Sequence, residues 1–182
     1  MSVATQPLIG TFVADPVHSS FQFALKHMKV STYRASFDDV DARAVADEQG
    51  IRLDVAVRVE SVSIKNPPEF RAHVVQGADF FDAGNHPEIT FRSEDVELHD
   101  DGTVAVRGEL TIKGITKPIV AAGTYQPLVE DPFGALRTAV ELTATVDRRD
   151  WDMGWQAPLP GGGDALGYEV TLSVHVELIK QS

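Results

Sequence analysis

Residues 51–60 read Ile51-Arg52-Leu53-Asp54-Val55-Ala56-Val57-Arg58-Val59-Glu60. Apolar side chains occupy every odd position, and four of the five even positions are charged. Successive side chains of a strand point to opposite faces, so this alternation turns one face to a core and the other to water. On a helix the same residues would scatter around the axis. The stretch is a half-buried strand.

The period of two continues outward from it. Phe21, Phe23 and Leu25 alternate with Ser20, Gln22 and Lys26, and Val104, Val106, Leu110 and Ile112 alternate with Arg107, Glu109 and Thr111. Residues 136–146 and 170–178 repeat the pattern on even positions, and 89–91 and 119–125 are shorter strands of the same type. Turn signals such as Asp100-Asp101-Gly102 stand between them. Strands at this spacing predict an all-β sandwich or barrel, and closure into a barrel removes the edges that invite aggregation. One segment departs from the pattern. Asn66-Pro67-Pro68-Glu69 offers an N-cap followed by prolines, and Phe70, Val74 and Val75 fall near helical spacing, so 67–77 reads as a short helix ending at Gly77. Residues 157–164, Ala-Pro-Leu-Pro-Gly-Gly-Gly-Asp, form a loop by composition.

The chain has 182 residues, a length that favours one domain spanning 1–182. With no cysteine, disulfides, thiolate metal sites and cysteine nucleophiles are excluded. Sixteen Lys and Arg against 27 Asp and Glu leave a net charge of −11, which argues against nucleic acid and anionic membrane surfaces as partners. Residues 1–10, MSVATQPLIG, carry no basic segment and no apolar run of signal-peptide length, and no stretch approaches the ~20 apolar residues of a membrane span. The expectation is a cytoplasmic protein without stable membrane insertion. A homodimer through a strand edge is left open.

Residues with catalytic chemistry are present but form no motif. His73 and His86 flank Asp79 and Asp82, yet their spacing matches no compact zinc-ligand pair. His175 lies on the outward parity of its strand, and His99 sits in a polar turn. There is no GxSxG elbow, and Gly161-Gly162-Gly163 lacks the Lys-Ser/Thr of a phosphate loop. The pairs Asp38-Asp39 and Asp100-Asp101 read as solvated turns. No catalytic residue, metal or cofactor is assigned; acid–base work by His18, His27 or His73 is the enzymatic alternative. The remaining resource is apolar. Phe21, Phe23, Phe37, Phe91 and Tyr125 take inward positions, where they either fill a barrel or line a hollow one, and periodicity does not separate the two.

Four blocks add a resemblance. These are Asp15-Pro16-Val17-His18-Ser19 leading to Phe23 and His27; His73 followed by Asp79-Phe80-Phe81-Asp82 and Pro87-Glu88-Ile89-Thr90-Phe91; residues 108–118, Gly-Glu-Leu-Thr-Ile-Lys-Gly-Ile-Thr-Lys-Pro; and Asp147-Arg148-Arg149-Asp150-Trp151. In this order they resemble the YceI-like family of lipocalin-like polyisoprenoid-binding proteins. The resemblance implies an extended eight-stranded antiparallel barrel with a short helix near one opening. It also implies a binding or transport role, with a long isoprenoid or similar amphiphile in the lumen and no catalytic residues. Two features depart from many relatives: Ala72 precedes His73 where an acidic residue is common, and residues 1–10 show no secretory leader.

With that fold, the lumen candidates are Phe21, Phe23, Leu25, Val55, Val57, Phe91, Leu110, Ile112, Tyr125, Val140, Leu142, Val170 and Leu172. Candidates for the mouth are His27, Arg71, Arg149 and Trp155. The expected ligand is a polyisoprenoid, an isoprenoid quinone or a fatty-acyl lipid with a neutral or weakly polar head. A cluster such as Arg148 and Arg149 is the place where an anionic head would be received.

Overall fold

The computed structural model describes residues 8–182; residues 1–7, with most of the stretch read above for a leader, lie outside the described residues. The chain forms β1 (Gly10–Ala14), β2 (Ser20–His27), β3 (Ser31–Phe37), β4 (Val40–Asp47), β5 (Gly50–Arg58), α1 (Pro68–Gln76), β6 (Glu88–Leu98), β7 (Thr103–Ile112), β8 (Ile115–Tyr125), β9 (Val129–Glu130), β10 (Leu136–Asp147) and β11 (Leu166–Lys180). The stretches 89–91 and 119–125 belong to strands of eleven residues each.

The strands β11-β1-β4-β5-β6-β7-β8-β10 follow one another, and β10 pairs back onto β11, so the expected eight-stranded antiparallel barrel is closed. Closure depends on the length of β11. One of its edges runs along β10 from Glu169 to Ile179. The other takes β1 at 178–180 and β2 at 166–175. The hairpin β2–β3 thus prolongs β1 and β4 beyond the breaks at 15–19 and 38–39, and it lengthens one side of the barrel.

Side-chain parity sorts as the alternation requires. On β7, Val104, Val106, Leu110 and Ile112 are buried while Thr103, Arg107 and Glu109 are exposed. Gly108 breaks that inward series because a Cβ there would strike the Phe91 ring and the Arg92 carbonyl of β6. Where β6 bulges between Ser93 and Asp95, the Ser93 hydroxyl accepts the Leu53 N–H at 2.7 Å and continues the ladder that the bulge interrupts.

α1 covers one end of the barrel, with Val74 and Val75 buried among Val59, Ile64 and Trp151. Its start corrects the expected Asn66 cap. Pro67 holds the N-cap position and no side chain caps the helix, which relies on prolines that lack the N–H a cap would satisfy. Gly77 closes it, donating its N–H to the His73 carbonyl at 2.8 Å. No helix among the described residues is long and apolar enough to cross a membrane.

Candidate functional site

Inside the barrel lies a cavity of about 690 Å³, within the ~300–1,000 Å³ of small-molecule sites. Inward positions of nearly every strand reach it: Phe21, Phe23 and Leu25 from β2; Val55 and Val57 from β5; Phe91 from β6; Leu110 and Ile112 from β7; Val140 and Leu142 from β10; Val170 and Leu172 from β11. His27 and Trp155 also reach it, near Met28, Asn66 and Pro67. These last residues belong to the β2–β3 tip, the approach to α1 and the loop after β10, and together they make the mouth.

Three candidates are placed elsewhere. Tyr125 keeps inward parity but sits at the end of β8, where its hydroxyl donates to the His99 carbonyl at 3.2 Å rather than facing the cavity. Arg71 reaches back to the carbonyl of Glu60 at 2.6 Å and to its carboxylate at 3.3 Å. Arg149 is bound to Asp147, which raises its pKa, and lies 4.2 Å from the centre of the Tyr168 ring. Parity says which face a side chain takes. It does not say how far along the barrel the residue stands or which partner captures a long cation.

Several wall residues come from outside the long strands. Phe80 and Phe81 follow α1, and the Phe81 ring meets Phe37 at 5.8 Å and Phe23 at 6.4 Å, edge to face in both cases. Phe23 and Phe37 are themselves 5.6 Å apart. Near the mouth, Phe80 lies 5.6 Å from Trp155, and the His73 ring stands edge-on to both. Tyr33 and Phe70 close another side at 6.4 Å. Aromatic edge-to-face contacts of this kind contribute about 0.5–1.5 kcal/mol beyond area burial.

Arg148, named from the sequence with Arg149 as a place for an anionic head, is engaged otherwise. It is 5% exposed and lines the cavity, yet its guanidinium is spent on backbone. Nε donates to the Gly167 carbonyl at 2.9 Å, Nη2 to Trp155 at 2.9 Å and Leu166 at 3.5 Å, and Nη1 to Met153. Burial pushes its pKa down, because the charged form gives up water. The five fixed donors of a guanidinium suit this task and a lysine would not replace them. Arg148 fastens the loop that carries Trp155 onto the start of β11.

The opposite end holds an ionic cluster. Asp15 accepts from the Val17 N–H at 2.9 Å and meets His18 Nδ1 at 3.0 Å and Arg137 Nη1 at 2.8 Å. Arg137 also binds Asp131 at 2.7 Å and Glu177 at 2.6 Å. Hydrogen bonds from His18 and Arg137 hold the Asp15 carboxyl well below the usual carboxylate range, and the Arg137 pKa is raised in turn. Asp15, His18 and Glu177 lie close enough to bind a metal, but Arg137 already places a cation against both carboxylates. His73 pairs with Asp79 at 3.0 Å on the exposed side of α1, with no second histidine in the pair. The three histidines considered for acid–base work sit on separate elements. Among the described residues that line the cavity there is no Asp, Glu, Lys, Ser or Thr.

Residues 12–178 match the model of the YceI-like domain. A UPF0312 protein of Staphylococcus aureus is 29% identical over 170 residues, covering 91% of this chain and 95% of its own. Among solved structures, BcnA of Burkholderia cenocepacia superposes with a TM-score of 0.71 at 20% identity, over 90% of this chain and 98% of that one. A polyisoprenoid binding domain from Saccharophagus degradans, implicated in plant cell wall breakdown, gives a TM-score of 0.71 at 12% identity, over 93% and 98%. At these identities the structural likeness establishes the shared barrel.

Proposed function

The chain belongs to the YceI-like domain family, and from that premise we propose that it is a lipid-binding barrel, a carrier that holds the tail of a polyisoprenoid, isoprenoid quinone or fatty-acyl lipid in its lumen. The observation that carries this is the cavity: about 690 Å³ walled mostly by aliphatic and aromatic side chains, with no carboxylate, lysine, serine or threonine on its wall among the described residues. Each CH₂ moved from water into such a lumen contributes about 0.8 kcal/mol, so a tail of several isoprene units exceeds the ~4–15 kcal/mol lost on association without a covalent anchor. The polyisoprenoid binding domain from Saccharophagus degradans, which shares the fold, supports the same ligand class.

The head group stays at the mouth, beside His27 and Asn66. With Arg148 engaged by carbonyls and Arg149 by Asp147, neither arginine is free to bind a diphosphate, which supports a neutral or weakly polar head. Native mass spectrometry with lipid extraction, on protein purified from its own host, tests the carrier role. A co-purified lipid that Leu172→Trp excludes, with at least a ten-fold loss of affinity, is the expected result. Protein that carries no extractable lipid and takes up none when offered prenyl or acyl tails would refute it.

A further inference from the structure

We propose that the β2–β3 hairpin tip is a docking surface for an anionic lipid bilayer, placed so that the lumen opens onto the membrane from which it exchanges its ligand. This rests on the lumen described under the proposed function.

Four observations converge on the tip. Met28 is 42% exposed and Val30 84%, while Met28 also lines the cavity mouth, so an apolar surface in water runs directly into the apolar lumen. The two residues of the turn, Met28 and Lys29, have φ of 51° and 62°, with the Val30 N–H donating to the His27 carbonyl at 3.1 Å. Paired positive φ values suit Asn-Gly, and bulky side chains there are strained. The tip therefore keeps a methionine and a lysine that its own backbone disfavours, which points to a use outside the fold.

Charge is the third observation. No acidic residue occurs between Asp15 and Asp38, and that stretch carries Lys26, Lys29 and Arg34. Lys65 directly precedes Asn66, which lines the cavity. Among the described residues none of these four cations meets a carboxylate: Lys29 Nζ donates to the Gly162 carbonyl at 2.8 Å, and Lys26 Nζ to the Thr32 hydroxyl at 3.3 Å. Fourth, residues 154–163 across the mouth carry no charge at all. The acids flanking these stretches in sequence are Asp38, Glu69, Asp152 and Asp164.

The total charge of −11 opposes an anionic surface, but at physiological salt that field is screened beyond ~8 Å. What the bilayer meets is the tip. Each lysine close to an anionic surface contributes about five-fold in affinity, and the inserted Met28 and Val30 add apolar burial. Attachment by so few residues is reversible, as repeated exchange requires.

The test is sedimentation of the full chain with vesicles of phosphatidylcholine containing one third phosphatidylglycerol, against vesicles of phosphatidylcholine alone. Wild type is expected to bind the anionic vesicles and release at high salt. The double variant Met28→Asn, Lys29→Gly is expected to melt higher, because it relieves the turn, yet to bind these vesicles at least ten-fold more weakly. Lys26→Glu with Lys29→Glu is expected to lose binding, and Phe133→Ser, at an exposed apolar residue outside the tip, to retain it. Uptake of a naphthylamine fluorophore without vesicles follows the lumen separately: a wild type that takes up none removes the lumen basis of the proposal, whatever the vesicles show. Equal binding to both vesicle types, vesicle binding unaffected by the tip variants, or a tip-dependent self-association without vesicle binding would each overturn it.

Discussion

At one end of the barrel Phe12 is 1% exposed, set directly across from Ala44 and packed with Ala46, Val176 and Leu178. At the other end Phe23, Phe37 and Phe81 touch ring to ring and remain only partly buried beside the cavity. Both ends use aromatic residues on inward faces, with opposite results. A large ring beside the alanine of a neighbouring strand packs down into the room that small side chain leaves and is fully covered. Rings on adjacent elements lean on one another around the wall, satisfy their contacts there and leave the centre open. Polar groups divide in the same way: the filled end is stapled by the Asp15–Arg137–Glu177 cluster, and the open end is fastened by one arginine holding carbonyls.

The largest effect follows from the filled end. Phe12→Ala leaves a cavity in close packing and is expected to cost about 3–5 kcal/mol in denaturant unfolding, whereas Phe81→Ala, next to space that already exists, is expected to cost about 1–2 kcal/mol. Equal costs would erase the distinction between the two ends. Arg148→Met comes next. It strands carbonyls of Met153, Trp155, Leu166 and Gly167, and a loss of about 2–3 kcal/mol is expected, with faster hydrogen exchange concentrated in residues 153–167.

A smaller effect separates the ends by pH. The Asp15 carboxyl is held low by His18 and Arg137, and Asp131 is held low by Arg137 and by the Ala135 and Phe133 N–H groups. A carboxyl depressed in the folded state stabilises it above the ordinary carboxyl range, near pH ~4, and the contribution is lost as pH falls through the folded value. Melting temperature is therefore expected to drop between about pH 5 and pH 2, and Arg137→Ala is expected to flatten that drop while lowering stability near neutrality. The smallest effect is at His73. Its pair with Asp79 is exposed, so His73→Phe, which keeps a ring against Phe80 and Trp155 and loses only the pair, is expected to change stability by under ~0.5 kcal/mol. Lipid incubated with wild type or with this variant is expected to be recovered unchanged, as thin-layer chromatography of the extract will show.

How much of this was legible in the residues depends on the kind of interaction. Alternation placed Phe21, Val55, Leu110 and Leu172 on the inner face, because in a strand the direction of a side chain is set by its own position in the chain. The same rule gave Tyr125 the correct face but not its direction, since its hydroxyl is taken by the His99 carbonyl, in the turn between β6 and β7. Phe80 and Phe81 follow a helix and have no strand parity, so only the Asp79-Phe80-Phe81-Asp82 block drew notice to them. Arg148 and Arg149 are adjacent in sequence and chemically identical, yet one is buried in a cage of carbonyls and the other paired on the surface. Nothing local distinguishes them, because the carbonyls belong to residues 153–167.

The sequence by itself determined the strands, the helix, the absence of cysteine chemistry and, through its ordered blocks, the family and its closed barrel. These are local or cumulative properties, decided by periodicity and by residues a few positions apart. Only the tertiary structure decided that the lumen keeps a cavity beside a fully covered Phe12, and which of two adjacent arginines fastens the loop carrying Trp155 onto β11. Each of these depends on distances between residues far apart in sequence. Packing, desolvation and charge act through those distances, and periodicity does not encode them.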